Sequence, residues 1–216
     1  MAYQPEFLAR INARRAALRD ELRALLPARR SLVWEIGSGH GHFLVRYAQT
    51  YPDKYCVGVD IVRDRLIRSG RKLARARLAN CHFVPAEARE FLEALPAGVT
   101  LEEIWVLFPD PWPKKRHHKN RILQAEFLEV LAGRAGEGAR LYFRTDHAEY
   151  FSAVVDLLAG LQTWRPDPAA VWPLEPETVF QARAPGYQSL VAVRTSHPAR
   201  PAETTAPRPP PRVGPR

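Results

Sequence analysis

An acidic residue and a tryptophan stand immediately before a cluster of basic residues in segment 108–119, whose sequence is FPDPWPKKRHHK. Asp110 supplies a carboxylate, Trp112 supplies a flat aromatic surface, and Lys114 begins the run of cations. If the segment follows a buried strand, this combination suits a charged polymer with stackable bases better than a small metabolite. The segment therefore predicts chemistry on a nucleic acid.

A glycine-rich turn follows an apolar run at 32–36 and precedes an amphipathic segment at 43–48. Gly37 and Gly39 lack side chains, so a ligand can approach the backbone closely, as an adenosine cofactor requires. The third glycine, Gly41, comes one residue earlier than in the dinucleotide pattern G-x-G-x-x-G, and Glu35 precedes the turn. A carboxylate there would repel a pyrophosphate and attract the ammonium and sulfonium groups of S-adenosyl-L-methionine. We therefore expect that cofactor, bound by Glu35, Gly37 and Gly39.

Two further acids follow predicted strands. Asp60 ends the apolar run at 55–59, where an acid can accept hydrogen bonds from both ribose hydroxyls. Glu87 follows the run at 82–84, where an acid can meet the adenine amino group. A single acid after a strand is usually a helix cap or a solvated loop residue. Three acids in register with a glycine turn favour a cofactor site.

The alternation of strand and helix patterns predicts an α/β fold with a mostly parallel central sheet and helices on both faces. Further strands are expected at 103–108, 141–144 and 188–193, and glycines 133, 136 and 138 are expected to end the helix that begins near 122. Right-handed crossovers bring the strand ends to one edge of the sheet. Five acids should meet at that edge: Glu35, Asp60, Glu87, Asp110 and Asp146.

The chain divides into three predicted segments. Residues 1–30 have leucines at helical spacing among arginines, which predicts an amphipathic helix with a basic outer face. Residues 31–196 form the predicted catalytic domain. Residues 197–216 are rich in proline and arginine and nearly free of apolar residues, which predicts a disordered tail. A basic stretch at 62–78 suggests a second contact surface.

Composition narrows the class of partner. A net charge of +9 and a pI near 10.0 favour an anionic partner, most simply a nucleic acid, with a membrane surface as the rival. No apolar stretch is long enough to span a bilayer and the N-terminus lacks a signal-peptide core, so we expect a cytoplasmic protein and no membrane partner. Cys56 and Cys81 are expected to be buried thiols, and no metal is expected because His117 and His118 lack further ligands at suitable spacing. Nothing in the sequence separates a monomer from a homodimer.

These motifs resemble the bacterial tRNA (guanine-N7)-methyltransferases. The resemblance spans about residues 32–193 and rests on EIGSGHG at 35–41, GVD at 58–60 and, above all, FPDPWPKKRH at 108–117. It implies the Rossmann-like class I methyltransferase fold and methyl transfer from S-adenosyl-L-methionine to guanine 46 in the variable loop of tRNA. It also implies site roles: cofactor contacts at Glu35, Asp60, Glu87 and Asp110, a catalytic role for Asp110, and substrate contacts at Lys114, Asp146, Thr178 and Gln181.

The chain departs from the family pattern at two places. The family's later substrate motif is Thr-x-x-Glu, whereas here Thr178 is followed by Gln181, an uncharged amide that still donates and accepts hydrogen bonds. In the basic loop, Asn120 occupies a position at which the family usually has a basic residue. Lys119 and Arg121 on either side are expected to replace the missing phosphate contact.

Guanine N7 already has an in-plane lone pair, so its methylation requires no general base. We expect Asp110 to orient the purine and to stabilise positive charge as it develops on the ring, with Asp146 as a second purine acceptor. Trp112 either stacks on RNA or packs beneath the loop.

Three other classes of protein are weaker alternatives. An enzyme that methylates exocyclic amines usually has a polar residue followed by Pro-Pro-aromatic, which 110–113 resembles with the order changed. A non-enzymatic RNA-binding module fits the basic charge. A nicotinamide oxidoreductase lacks its glycine fingerprint.

Overall fold

A computed structural model describes residues 5–26, 30–174 and 186–198. Within them lie six α-helices: α1 Pro5–Leu25, α2 His42–Thr50, α3 Arg63–Ala76, α4 Ala88–Ala94, α5 Ala125–Ala132 and α6 Ala148–Ala159. The strands are β1 Ser31–Ile36, β2 Cys56–Asp60, β3 Cys81–Pro85, β4 Thr100–Leu107, β5 Ala135–Thr145, β6 Trp164–Pro166 and β7 Gln188–Arg194. A 3₁₀ helix covers Lys115–Asn120.

All seven strands form one sheet in the order β3-β2-β1-β4-β5-β7-β6. The first five strands are parallel, while β7 pairs antiparallel with both β5 and β6. The predicted α/β fold with a mostly parallel sheet is therefore confirmed. The strand order reverses between β1 and β4, the kind of position at which open α/β sheets bind ligands.

The central strands carry apolar side chains on both faces of the sheet, because helices cover both faces. One cluster joins α1, α4, α5 and α6 to the sheet. Helix α1 contributes Leu18 and Leu22, and Leu26, directly after the helix, continues the four-residue spacing. The second cluster lies under α2, where Trp105 stacks on Tyr142 with ring centroids 3.8 Å apart. Cys56 and Cys81 are buried there as free thiols, as predicted.

Two details differ from the sequence prediction. Gly136 and Gly138 were expected to lie in the break after a helix, but they lie inside β5. This strand begins at Ala135 instead of near 141. Gly138 has a φ of 76°, which an L-residue rarely adopts, so it shapes the strand locally. The short edge strand β6 was not predicted, because Pro166 and the prolines after it suggest a loop.

Two predicted features lie wholly or partly outside the described residues. The proposed tail at 197–216 is described only through residue 198, and the limits of the N-terminal segment at 1–30 remain predictions. In the described part of the chain, no helix is long and apolar enough to cross a membrane.

Candidate active site

Five predicted acids lie at the carboxyl edge of the parallel strands. Glu35 is the penultimate residue of β1, and Asp60 is the last residue of β2. Glu87 lies two residues after β3, Asp110 three residues after β4 and Asp146 directly after β5. Because these strands are neighbours and parallel, their carboxyl ends share one edge, as the sequence predicts.

The glycine turn has an unusual backbone that leaves space beside it. Gly37 and Gly39 have φ values of 72° and 54°, in the left-handed region that favours glycine. A Cβ atom at Gly37 would meet nothing within 4 Å, and one at Gly39 would meet only the Gly37 carbonyl oxygen, at 3.9 Å. Both glycines are therefore required for the path of the backbone, and they border open space in which a ligand can lie.

Asp60 fastens this turn to the end of β2. Its Oδ2 accepts from the Gly39 amide at 2.9 Å and its Oδ1 accepts from the Val62 amide at 2.8 Å. Arg65 lies 3.6 Å from the same carboxylate. Asp60 thus holds the glycine turn and the start of α3 in place. Only its remaining lone pairs are available for ribose hydroxyls.

Glu35 is a buried carboxyl group with an unpartnered oxygen. The residue is 4% exposed, and its Oε2 has no hydrogen-bond partner among the described residues. Burial raises the pKa of Glu35 well above its usual range, and the nearby Asp60 carboxylate raises it further, while a hydrogen bond from the Leu44 amide opposes the shift. An ammonium group of a ligand would satisfy the free oxygen and reduce the repulsion.

Glu87 serves as the N-cap of α4. Its Oε2 accepts from the amides of Arg89 and Glu90 at 2.9 and 3.2 Å. This is the structural role that a lone acid after a strand usually has. Both bonds end on one oxygen, so Oε1 remains available to an adenine amino group. Burial raises the pKa of Glu87.

The loop after β4 carries two residues in strained conformations. Phe108 and Trp112 have φ values of 50° and 45°, and bulky side chains rarely adopt the left-handed region. Each such residue costs about 1–3 kcal/mol, and residues of this kind cluster at functional sites. Asp110 lies between them and is exposed. The half-buried Trp112 ring meets His117 edge to face, with centroids 5.9 Å apart, so it packs within the loop while keeping part of its surface open.

Arg121 anchors that loop to the protein, and this role was not predicted. It is 5% exposed, and its Nε donates to the Pro111 carbonyl oxygen at 2.8 Å. Its Nη1 and Nη2 donate to the two carboxylate oxygens of Glu149 on α6, and its guanidinium lies 4.6 Å from the centroid of the Tyr150 ring. The expectation that Arg121 replaces a phosphate contact is therefore wrong, because the side chain is buried under the loop. Lys119 is exposed.

A second arginine, Arg144 near the end of β5, is also buried and was not identified from the sequence. Its guanidinium lies 3.9 Å from the centroid of the Trp172 ring and 4.5 Å from that of Tyr187. Its Nε donates to Ser189 Oγ at 2.8 Å. Tyr187 in turn meets Phe108 edge to face, so this cluster connects the start of the basic loop to β7. In the sequence, only the aromatic residues Trp172 and Tyr187 could have indicated a cation–π partner for this arginine.

The predicted substrate residues divide into described and undescribed ones. Lys114 and Asp146 are exposed and follow the neighbouring strands β4 and β5, as Asp110 follows β4. Within the described residues, none of these three side chains makes a hydrogen bond. Thr178 and Gln181 lie outside the described residues.

The residues present fit S-adenosyl-L-methionine. Among the residues that the structure describes, one oxygen of Glu35 lacks a partner and suits an ammonium, and one oxygen of Glu87 remains for an amino group. The open backbone at Gly37 and Gly39 suits close approach of a ligand. These are polar groups at the switch point of the sheet, where such ligands bind.

Comparison with known proteins gives consistent relatives. Residues 29–181 match a family described as "Putative methyltransferase". The tRNA (guanine-N(7)-)-methyltransferase of Syntrophotalea carbinolica is 32% identical over 193 residues, covering 86% of this chain and 83% of that protein. The enzyme of the same name from Halorhodospira halophila is 35% identical over 160 residues, covering 70% of this chain and 68% of that protein.

Solved structures show the same fold. The 16S rRNA methyltransferase KamB has a TM-score of 0.56 at 18% identity, and the aminoglycoside resistance methyltransferase NpmB1 has a TM-score of 0.54 at 18% identity. In both cases 82% of this chain and 93% of the other are covered. The class I methyltransferase fold that the sequence resemblance implies is therefore confirmed.

Proposed function

Because the chain belongs to the tRNA (guanine-N7)-methyltransferase family, we propose that it methylates N7 of guanine 46 in the variable loop of tRNA. S-adenosyl-L-methionine is the cofactor, and it supplies an electrophilic methyl group on a sulfonium. The proposal is supported by one feature of the fold: the glycine turn at 37–41, called the cofactor turn below, and the loop with Asp110 follow the neighbouring parallel strands β1 and β4. A tRNA substrate agrees with the predicted cytoplasmic location.

The cofactor site would be formed by Glu35, the turn at Gly37 and Gly39, Asp60 and Glu87. Glu35 binds the ammonium through its free Oε2, and Glu87 accepts from the adenine through Oε1. Asp60 holds the turn in its left-handed conformation and accepts from ribose hydroxyls with its remaining lone pairs. These residues would hold the cofactor at the same edge of the sheet as the loop after β4.

Asp110 acts on the guanine. Its exposed carboxylate accepts no hydrogen bond from the described residues, so it is available to the N1–H and N2–H groups of a purine. The bound cofactor would supply the methyl group, and N7 would accept it with its own lone pair, so no proton has to be removed. The purine would become cationic as the sulfonium becomes neutral. A fixed carboxylate close to the purine stabilises the charge that develops there. Asp146, at the end of the next strand, is placed to be a second purine acceptor.

The basic loop would hold the tRNA backbone. Lys114 and the residues of the following 3₁₀ helix are exposed, with the exception of the half-buried His117 and His118. Exposed lysine and arginine side chains contact phosphates and position the RNA without reading its sequence. Arg121 stabilises the loop from below through Pro111 and Glu149, which keeps Asp110 in place.

The proposal is tested by incubating the protein with unmodified tRNA and S-adenosyl-L-methionine labelled in the methyl group, then digesting the RNA to nucleosides for mass spectrometry. The expected product is 7-methylguanosine. A methyl group on the exocyclic nitrogen would support the amine-methylating alternative instead. RNA binding without any transfer would support the binding-module alternative.

A further inference from the structure

A second basic site lies in a groove between α2 and α3, and none of its lining residues belongs to the loop that carries Asp110. The groove has a volume of about 380 Å³ and is lined by His42, Val45, Arg46, Gln49, Lys72, Arg75 and Ala76. Three of these side chains are cationic. No carboxylate is among the lining residues that the structure describes.

Lys72 is held in a fixed position at one end of this groove. Its Nζ donates to the His40 carbonyl oxygen at 2.7 Å and lies 2.9 Å from His42 Nε2. Since an ammonium has only donors, His42 Nε2 must accept, which requires a neutral imidazole. Two of the three Lys72 N–H groups are thus used, and the third is available to a ligand.

The positive charges in this region repel one another. Burial lowers the pKa of Lys72, and the neighbouring Arg68 lowers it further. Burial also lowers the pKa of His42, with Lys72 as the second cause, which agrees with a neutral His42. An anion in the groove would relieve this repulsion and accept from Lys72 and from the arginine side chains.

We propose that the groove binds the phosphodiester backbone of tRNA at a position separate from the basic loop. This inference rests on the proposed function, because it takes the macromolecular substrate to be tRNA. Arg46 lies on α2, while Lys72 and Arg75 lie one turn apart on α3, so the cations face a polymer from two helices. Lys72 also contacts the backbone of the cofactor turn at His40, which places the groove next to the catalytic edge.

The test uses exposed residues of the groove and leaves Lys72 intact, since its loss would disturb the cofactor turn. Arg75→Gln removes one positive charge and Gln49→Glu adds one negative charge without changing the size of the side chain. Matched controls elsewhere are Arg165→Gln on the edge strand β6 and Gln162→Glu in the preceding loop. Affinity for unmodified tRNA is measured at several salt concentrations, together with kcat, cofactor affinity and thermal unfolding.

Each groove substitution is expected to weaken tRNA binding about fivefold at moderate salt, while the controls change it by less than about twofold. The double variant Arg46→Gln/Arg75→Gln should reduce the slope of log affinity against log salt by about 2, one unit for each lost phosphate contact. The value of kcat at saturating tRNA and the cofactor affinity should not change. Unchanged melting temperatures would show that the variants are folded.

Equal effects of groove and control substitutions would contradict the proposal, because they would indicate a diffuse field instead of a site. If the wild-type protein methylates tRNA but the groove variants bind it normally, the groove assignment alone is wrong. If the wild-type protein neither binds nor methylates tRNA, both the groove and the proposed function are wrong. A loss of cofactor affinity with normal tRNA binding would also overturn the groove assignment.

Discussion

Substitution of Glu35 by glutamine should affect stability and cofactor affinity in opposite directions. Glu35 is a buried acid near the Asp60 carboxylate, which repels it, and one of its oxygens has no hydrogen-bond partner in the described part of the chain. An amide of the same shape removes that repulsion and the cost of burying a charge. The same change removes the group that we propose to bind the cofactor ammonium.

The expected magnitudes follow from these contacts. An unsatisfied buried polar atom costs about 1–3 kcal/mol, and the amide recovers about 1–2 kcal/mol of this because its own N–H groups also need partners. For a chain of this size, the melting temperature should rise by about 2–8 °C. A hydrogen bond to a charged group contributes about 1.5–3 kcal/mol, so the cofactor dissociation constant should increase about 10- to 150-fold.

Thermal unfolding and isothermal titration with S-adenosyl-L-methionine measure the two effects over a range of pH. The pKa of Glu35 is raised in the folded protein, so the native state binds the proton more tightly than the unfolded chain does. Between the unfolded value of about 4.3 and the raised folded value, wild-type stability should therefore increase as pH falls. As pH falls through the upper part of that range, cofactor affinity should decrease, because binding of the ammonium requires the ionised form of Glu35. Both pH dependences should be weaker in Glu35→Gln.

Glu103→Gln is the matched control. Glu103 is a half-buried acid on β4, and burial also raises its pKa. Its oxygens, however, accept from Tyr47 Oη at 2.9 Å and from Trp105 Nε1 at 3.1 Å. Glu103→Gln should lower stability by about 0.5–1.5 kcal/mol and leave cofactor affinity unchanged. If Glu35→Gln instead destabilises the unliganded protein while cofactor binding remains at the wild-type level, Glu35 does not have the proposed role.

Three further substitutions, and Lys119→Gln as a comparison for one of them, test the turn, the loop anchor and the proposed catalytic residue. Gly39→Ala forces an L-residue to a φ of 54°, so we expect about 1 kcal/mol less stability and weaker cofactor binding, checked by unfolding and titration. Arg121→Gln should lower stability by about 2 kcal/mol and lower kcat more than tRNA affinity. Lys119→Gln, in contrast, should mainly reduce tRNA affinity. If the two variants behaved alike in steady-state kinetics, an anchoring role for Arg121 would be excluded. Asp110→Asn should reduce kcat at least about tenfold, or 1.4 kcal/mol, with cofactor affinity nearly retained, and a smaller loss in single-turnover assays would rule out an important charge role.

The order of strands and helices could be predicted because the central strands are short apolar runs separated by helical patterns. The glycine turn with Glu35 and the acids after β2 and β3 could be placed at one edge by the rules for parallel sheets. The start of β5 was missed because Gly136 and Gly138 suggest a break, whereas in the fold the residues on either side of them, Ala135 and Arg140, pair with β4. Tertiary pairing here overrides local propensity.

The roles of the two buried arginines could not be predicted from local sequence. Arg121 belongs to a run of basic residues, and only the packing of α6 beside the loop shows that its partners are Glu149 and Pro111. Arg144 has its partners at Trp172 and Tyr187, which lie far along the chain. For the same reason, the capping role of Glu87 and the fastening role of Asp60 required the structure, since hydrogen-bond partners are set by distance in space.

Methylation of N7 at a single guanine is best tested by mapping the modified nucleotide. Unmodified tRNA is treated with the protein and S-adenosyl-L-methionine, then with alkaline borohydride and aniline, which cleave the chain at 7-methylguanosine. We expect cleavage at guanine 46 alone and none when that guanine is replaced by adenine. Methyl transfer that produces no cleavage, or cleavage at another position, would contradict it.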